Sequence, residues 1–199
     1  MIATAILLRK GMAGSPRRTR RARQSDLDGA AAKAHYLGVE VTIRPFEGDA
    51  DADAFRALNE EWIARHFVVE EEDLRQLADP VRAYIEPGGE ILIAELAGKP
   101  VGCVALAPAG SGAYEVSKMA VSPGLRGRGI GRALLGAAIG RARELGARSL
   151  FLGSSTKLES AVHLYEAFGF RHVPPEKLHM PYARADVFME LELESPVSP

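Results

Sequence analysis

Residues 122–135 read SPGLRGRGIGRALL, a glycine- and arginine-rich turn that runs directly into an alanine–leucine helix. Glycine has more conformational freedom to lose than any other residue, so it suits points where the backbone takes unusual angles or approaches a ligand closely. The first four amides of a helix lack internal partners and lie at the positive end of the helix dipole. The stretch therefore predicts an anion site at a helix start, best suited to phosphate.

Two common phosphate motifs do not fit this stretch. A P-loop reads Gly-x-x-x-x-Gly-Lys-Ser/Thr, but Ile130 and Gly131 stand where the lysine and the hydroxyl residue belong. A dinucleotide fingerprint has a third glycine, which Arg132 replaces, and a later acidic residue, which the segment RSLFLGSS lacks. The sequence thus disfavours nucleotide hydrolysis and dinucleotide binding.

The composition sets outer bounds on structure and location. The 199 residues, of which 47% are hydrophobic, are enough for one good core. Cys103 is the only cysteine and the histidines show no ligand spacing, so we predict no metal site. No apolar run approaches the roughly 18 residues that span a bilayer, so we expect a cytoplasmic protein without membrane contact.

The N-terminal arm differs in charge from the rest of the chain, because the first 25 residues contain seven arginines or lysines and no acid. Three interpretations stay open: a disordered extension, a targeting peptide, and a tether to nucleic acid or another acidic partner. We expect residues 1–38 to form an extension and residues 39–195 to form a single domain, which begins with the alternating strand VEVTIRPF. For the domain itself, nucleic acid is a disfavoured partner.

Hydrophobic spacing predicts the elements around the glycine stretch. EILIAEL and PVGCVALAP are typical of strands joined by a hairpin at residues 97–99, and AYEVSKMAV is the strand that enters the stretch. The helix behind it has an apolar stripe and a stop at Gly146. A strand (RSLFLGS), a helix (LESAVHLYEAF) and a last strand (DVFMELEL) follow. This order predicts an α/β fold, a central mixed sheet with helices on its faces.

Two motifs resemble the GNAT superfamily of acetyl-CoA-dependent N-acetyltransferases. That family's phosphate loop, Gln/Arg-x-x-Gly-x-Gly/Ala, is matched by RGRGIG at residues 126–131. Its second signature, Ala-x-x-Leu-Tyr-Glu-x-x-Gly-Phe, is matched by AVHLYEAFGF at residues 161–170. The resemblance covers roughly residues 40–194 and implies a mixed, mostly antiparallel central sheet flanked by helices.

The resemblance implies that the phosphate is the pyrophosphate of coenzyme A, that acetyl-CoA is the co-substrate and that no metal is needed. The strand SKMAV would run beside the pantetheine arm and splay away from the next strand. Many family members have an asparagine after the strand RSLFL, where this chain has serines. The residues expected to bind the co-substrate are Met119, Ala120, Val121, Arg126, Gly127, Arg128, Gly129, Ile130, Gly131, Arg132, Ser154 and Ser155.

The same resemblance implies two catalytic roles. Tyr165 stands at the family's general-acid position, where its phenol would protonate the departing coenzyme A thiolate. Packing against the cofactor is the alternative role. Glu115 is the candidate base for the attacking amine, with a solvated strand carboxylate as the alternative. The implied reaction moves the acetyl group directly to a primary amine of a small molecule or peptide.

Acceptor residues are expected in the most variable segments of such folds, the first helices and the final hairpin. Trp62 has a core position as its alternative, and Arg184 could hold an acceptor carboxylate or pair with Asp186 or another acid. The candidates are Asn59, Trp62, Tyr182 and Arg184. A non-catalytic acetyl-CoA-binding sensor or interaction module stays open as the rival function, and so does a homodimer.

Overall fold

The computed structural model describes residues 32–36, 39–178 and 182–193. Within these residues eight strands form one sheet. The strands are β1 (Ala32–Tyr36), β2 (Val39–Pro45), β3 (Glu90–Leu96), β4 (Lys99–Pro108), β5 (Ala113–Val121), β6 (Ser149–Ser154), β7 (Arg171–His172) and β8 (Val187–Glu192).

The helices of the described residues occupy three stretches of the chain. The α-helices are α1 (Gly48–His66), α2 (Glu71–Ala78), α3 (Ile130–Glu144) and α4 (Glu159–Ala167). The shorter elements are a π-helical turn (Val81–Ile85) and 3₁₀ turns at Pro123–Leu125, Thr156–Leu158 and Pro175–Lys177.

The sheet has the order β1-β2-β3-β4-β5-β6-β8-β7. Every neighbouring pair is antiparallel except β5 and β6, which run parallel. A parallel pair needs a long crossover connection, and here α3 supplies it. The prediction of a mixed, mostly antiparallel sheet flanked by helices is confirmed.

Local sequence signals determine the turns around this sheet. Ala97 and Gly98 both have positive φ, 50° and 75°, which suits the tight hairpin between β3 and β4. Gly146, at φ 76°, ends α3, and the amide of Ala147 donates to the carbonyl of Ala142. The hairpin and the helix stop are where the sequence predicts them.

The core lies on both faces of the sheet. On one face, α3 buries Leu134, Leu135 and Ala138 against strand residues such as Leu92 and Leu106. On the other face, α1, α2 and the π-helical turn pack their apolar side chains on alternate strand positions, and the buried residues there are Phe55, Ile63, Leu77, Tyr84, Ile91, Ile93, Cys103, Ala105 and Ala120. The central strands are therefore apolar on both sides, which explains their near-continuous hydrophobic runs.

The beginning of the sheet differs from the prediction. β1 pairs antiparallel with β2, from Ala32 opposite Ile43 to Tyr36 opposite Val39. The sheet thus includes Ala32–Tyr36, which lie before the domain start predicted at residue 39. The segment AKAHYLG alternates in polarity, but its apolar positions 32 and 34 are alanines, which are depleted in strands, so the sequence signal for this strand is weak. The basic arm, residues 1–31, lies outside the described residues.

We predict that Leu135→Ala lowers the free energy of unfolding by about 2–5 kcal/mol, because the side chain is fully buried and its removal leaves a cavity. Urea denaturation followed by circular dichroism measures the change. Leu74→Ala is the matched control, because Leu74 is 56% exposed on α2, and it should change the stability by no more than about 0.5 kcal/mol. Equal effects of the two substitutions would contradict the position of α3 in the core.

Candidate active site

The site begins where β5 separates from β6. The two strands pair at three positions only, Ala113 with Ser149, Tyr114 with Leu150 and Glu115 with Phe151. β5 then continues to Val121 without a further partner on that side among the described residues, while β6 ends at Ser154. The opening between the strands leads into a cavity of about 450 Å³. The splay implied by the family resemblance is present.

A bulge in β5 shapes one wall of this cavity. Cys103 of β4 lies opposite Ala120, and Ala105 lies opposite Ser117, so β5 has one residue more than β4 in this interval. Lys118 takes up the extra length with φ 49°, which is uncommon for a residue with a side chain. Ser117, Lys118, Met119 and Val121 all line the cavity.

The glycine-rich loop that connects β5 to α3 forms one end of the cavity. Gly127 and Gly129 have φ of 72° and 80°, a left-handed conformation that favours glycine, and Gly129 is the N-cap of α3. Gly129, Ile130 and Gly131 line the cavity. A Cβ placed at Gly127 or Gly129 would meet no protein atom within 4 Å, and one at Gly131 would meet only a Leu164 methyl at 3.9 Å. The backbone here is open to a ligand, as a phosphate cradle on helix amides requires.

Two arginines add positive charge at this end of the cavity. Arg126 donates from Nε to the carbonyl oxygen of Val121 at 3.0 Å, and the Arg132 guanidinium lies 5.0 Å from the centre of the Phe168 ring. Both side chains line the cavity. Arg128 is exposed and lies outside the cavity wall. Ala120 is buried against the α1 side of the sheet and does not line the cavity either, so of the predicted co-substrate residues these two lie away from the wall.

The serines at the end of β6 contribute to the opposite wall. Ser154 and Ser155 are both buried and line the cavity. Ser155 Oγ accepts the amide of Lys157 at 3.4 Å, and the Asp186 carboxylate accepts both the amide and the hydroxyl of Thr156, at 2.7 and 2.8 Å. These bonds fix the turn after β6.

Tyr165 reaches the same cavity from α4. Its ring meets the ring of Phe170 edge-on, with the centroids 6.0 Å apart. Burial raises the pKa of the Tyr165 phenol to about 12, so the group stays protonated at neutral pH. A protonated phenol on the cavity wall has the form that a general acid needs.

Glu115 lies at the fork itself, since it is the last β5 residue that pairs with β6, and it lines the cavity. Burial raises the pKa of its carboxyl, and the nearby Lys118 ammonium acts in the opposite direction. A carboxylate with a raised pKa is a better proton acceptor at neutral pH than an exposed one. Glu115 is half-buried and borders the cavity, so its role as the base stays a prediction.

The four predicted acceptor residues all line the cavity. Asn59 is buried and donates to the Phe55 carbonyl oxygen at 2.8 Å, and the Trp62 ring lies 5.9 Å from that of Phe67. Arg184 does not have a free guanidinium fork: it donates to both carboxylate oxygens of Asp73, at 2.7 and 2.8 Å, and to Glu70 at 2.9 Å. Pairing with an acid, the alternative that the sequence left open, is what Arg184 does.

A polar cluster that no sequence pattern predicted is buried beside the four predicted acceptor residues. The Lys118 ammonium donates to Asp73 Oδ1 at 2.9 Å and to the Tyr182 hydroxyl at 2.7 Å. The hydroxyls of Tyr182 and Tyr84 both donate to Gln76 Oε1 at 2.8 Å. The available signal was a lysine in the middle of the apolar strand VSKMAV, a position where a charge needs a buried partner.

The described part of the chain has neither a metal-binding cluster nor a membrane-spanning helix. It contains no group of three or more His, Cys, Asp or Glu side chains that could hold a metal ion. None of its helices combines the length and the apolar character that crossing a bilayer requires.

The chain matches known acetyltransferases in sequence. Residues 52–170 match the Acetyltransferase (GNAT) family. An uncharacterized N-acetyltransferase of Schizosaccharomyces pombe is 34% identical over 161 residues, which cover 77% of this chain and 95% of that protein. The protein belongs to the GNAT acetyltransferase family.

Solved structures agree with this assignment. A GNAT-family acetyltransferase from Staphylococcus aureus superposes with a TM-score of 0.72 at 21% identity, covering 77% of this chain and 99% of that one, which shows the fold. A Salmonella typhimurium protein solved with its cofactor acetyl-CoA has a TM-score of 0.61 at 25% identity and covers 80% of this chain and 97% of that one. The protein is therefore an acyltransferase whose co-substrate is acetyl-CoA.

We predict that Gly131→Val weakens acetyl-CoA binding at least tenfold, because the new side chain would stand in the open space where the phosphate approaches the helix amides. Isothermal titration calorimetry measures the dissociation constant. Gly140→Val is the matched control, since it makes the same change in the same helix away from the cavity and its Cβ also meets no atom within 4 Å. Unchanged affinity in a folded Gly131→Val protein would contradict the phosphate assignment.

Proposed function

We propose that the protein acetylates a primary amine of a small molecule or peptide by direct attack, with acetyl-CoA and the amine bound together. The observation that carries the proposal is a single cavity lined by the glycine loop, by the phenol of Tyr165 and by the carboxyl of Glu115. A cofactor-binding loop alone would suit a sensor, whereas an acid and a base that line the same cavity suit catalysis.

Acetyl-CoA supplies the acetyl group and a thiolate leaving group. Amides of residues 127–131, with the charges of Arg126 and Arg132, hold the pyrophosphate, and the unpaired edge of β5 near Met119 and Val121 lies beside the pantetheine. Holding both substrates in one cavity replaces a collision by an oriented approach, which is a large part of such catalysis.

Two proton transfers complete the proposed reaction. Glu115 takes one proton from the acceptor ammonium, directly or through water, so that the nitrogen lone pair can attack the acetyl carbonyl carbon. As the carbon–sulfur bond breaks, Tyr165 gives its phenolic proton to the sulfur. Besides these two transfers, the attacking nitrogen loses its second proton to solvent as the amide forms. The tyrosine then regains a proton from solvent and Glu115 releases one, so the net products are the acetamide, free coenzyme A thiol and one proton.

We predict that Tyr165→Phe lowers turnover by roughly 10²–10⁴-fold, nearer the lower figure because a thiolate is a tolerable leaving group, while acetyl-CoA affinity hardly changes. Thiol release from acetyl-CoA, measured across a panel of amines, gives the rate. Tyr114→Phe is the control, since that side chain does not line the cavity. A wild-type rate in Tyr165→Phe would reduce the residue to packing. If no amine of the panel elicits thiol release from the wild-type protein, the sensor is favoured.

The pH dependence should distinguish the acid from the base. Because the pKa of Tyr165 is raised to about 12, its acid form is present throughout the usual assay range. Wild-type kcat/KM should therefore show no fall near pH 10, where an ordinary tyrosine ionises. A fall centred near pH 10 that disappears in Tyr165→Phe would show that burial does not protect the phenol.

We predict that Glu115→Gln depresses kcat/KM most at low pH. In wild type the ionised carboxyl accepts the ammonium proton, so kcat/KM stays level down to the raised pKa of Glu115 and falls below it. Without this base only the free amine reacts, so the variant should lose tenfold per pH unit below the pKa of the amine. Glu192→Gln, on the exposed side of β8, is the control. Parallel pH profiles for Glu115→Gln and wild type would contradict the role of the base.

A further inference from the structure

The charges on the cavity wall are unevenly distributed. Among the residues that the structure describes, five charged ones line the cavity, and they are Glu115, Lys118, Arg126, Arg132 and Arg184. Arg126 and Arg132 belong to the glycine loop and the first turn of α3, where the pyrophosphate is expected. The other two cations come from the β5 bulge and from the segment before β8, where the acceptor residues lie. The acceptor end therefore presents two positive charges and one negative charge.

Lys118 and Arg184, the two cations at the acceptor end, are held by carboxylates that do not line the cavity. Their common partner, Asp73, has no exposed side-chain surface and does not line the cavity. Glu70, the second partner of Arg184, does not line it either. The carboxylates thus fix the two cations in place from behind, and 17% of the Arg184 side chain and 4% of the Lys118 side chain stay exposed on residues that line the cavity.

The Lys118 ammonium has one N–H donor left for a ligand. An ammonium group has three N–H donors. Two are used, by Asp73 at 2.9 Å and by Tyr182 at 2.7 Å, and no third partner lies within hydrogen-bond distance among the residues that the structure describes. Burial lowers the pKa of Lys118 even though Asp73 is in contact with it. The ammonium is therefore short of negative charge, which a second carboxylate would supply.

We propose that the acceptor carries a carboxylate close to its amine, as an amino acid does, and that Lys118 binds this carboxylate while Glu115 faces the amine. Arg184 adds positive charge but leaves its fork on Asp73. A zwitterion matches the wall, because its ammonium meets the one acid and its carboxylate meets the cations. An acceptor with several cationic groups, such as a polyamine, would place them against Lys118 and Arg184. This inference rests on the proposed acetyl transfer to an amine.

The first test compares matched acceptors in the wild-type enzyme. Phenylalanine, phenylalaninamide and phenethylamine share one side chain and differ in the carboxylate, and a leucine series repeats the comparison. We expect kcat/KM for thiol release to be roughly 10–100-fold higher for the amino acid, the usual value of a hydrogen bond to a charged group. The amide has the less basic amine, so the intrinsic reactivity at neutral pH runs against the expected result.

Equal or faster turnover of the amides or decarboxylated amines would overturn the proposal, and so would a polyamine as the best acceptor. The proposed function fails in a different way, because then no amine of any class releases thiol. The two failures are therefore distinguishable in one panel.

The second test uses Lys118→Met, which keeps the length of the side chain and removes its charge. We expect it to abolish the preference for the amino acid over the decarboxylated amine and to leave the acetyl-CoA dissociation constant unchanged. Lys118→Arg should restore part of the preference. Lys157→Met is the matched control, because Lys157 is exposed near the cavity but does not line it. A preference that persists in folded Lys118→Met would overturn the assignment.

The only tryptophan of the chain, Trp62, lines the cavity and reports on both folding and binding in these variants. Its emission spectrum should match the wild type in folded Lys118→Met. Should that variant unfold because Asp73 has lost a partner, the wild-type acceptor series decides the question without it.

Discussion

The site exists because β5 pairs with both of its neighbouring strands over only part of its length. It pairs antiparallel with β4 from Tyr114 to Val121, but parallel with β6 only as far as Glu115. Beyond that point one edge of β5 has no strand beside it, and the gap is the cavity. The glycine loop and α3 follow directly from the end of β5, so the phosphate-binding amides come to the same opening. The unpaired edge of β5, the glycine loop beside it and the position of Glu115 at the cavity all follow from this one divergence.

The bulge at Lys118 introduces local backbone strain into β5. A non-glycine residue at φ 49° is strained, and such strain persists only where the surrounding structure holds it, often at a functional site. The bulge also places the Lys118 ammonium on the α2 side of the sheet. There the Asp73 carboxylate accepts hydrogen bonds from both Lys118 and Arg184. One buried carboxylate therefore ties together α2, the β5 bulge and the segment that leads into β8.

What the sequence could predict is what short-range physics determines. The hairpin at Ala97–Gly98, the stop at Gly146 and the glycine loop before α3 each depend on residues adjacent in the chain. The glycine loop at one end of the cavity was predictable for the same reason, although the chain positions alone did not reveal that Arg128 and Ala120 lie off the wall.

The acceptor end was less predictable because its contacts join distant segments. Asp73 and Lys118 are 45 residues apart, and Asp73 and Arg184 are 111 apart. No spacing rule connects them, so the sequence left both roles of Arg184 open, the substrate clamp and the ion pair, and assigned no role to the side chain of Lys118. The departure from pattern was nevertheless visible, since a charge inside an apolar strand breaks local consistency, and such breaks concentrate at functional sites.

Stability alone gives no reason for the cluster of Asp73, Lys118 and Arg184. Replacing a buried ion cluster by apolar side chains of similar volume is often neutral or stabilising, because desolvating the charges offsets most of their attraction. Apolar residues would therefore serve the packing of α2 on β5 at least as well. The cations, however, are not completely sealed inside that packing, since 4% of the Lys118 side chain and 17% of the Arg184 side chain stay exposed on residues of the cavity wall, whereas Asp73 has no exposed side-chain surface. With the proposed zwitterionic acceptor, charges at this position act on the substrate that enters the cavity, which would link the strain at the bulge to the choice of acceptor.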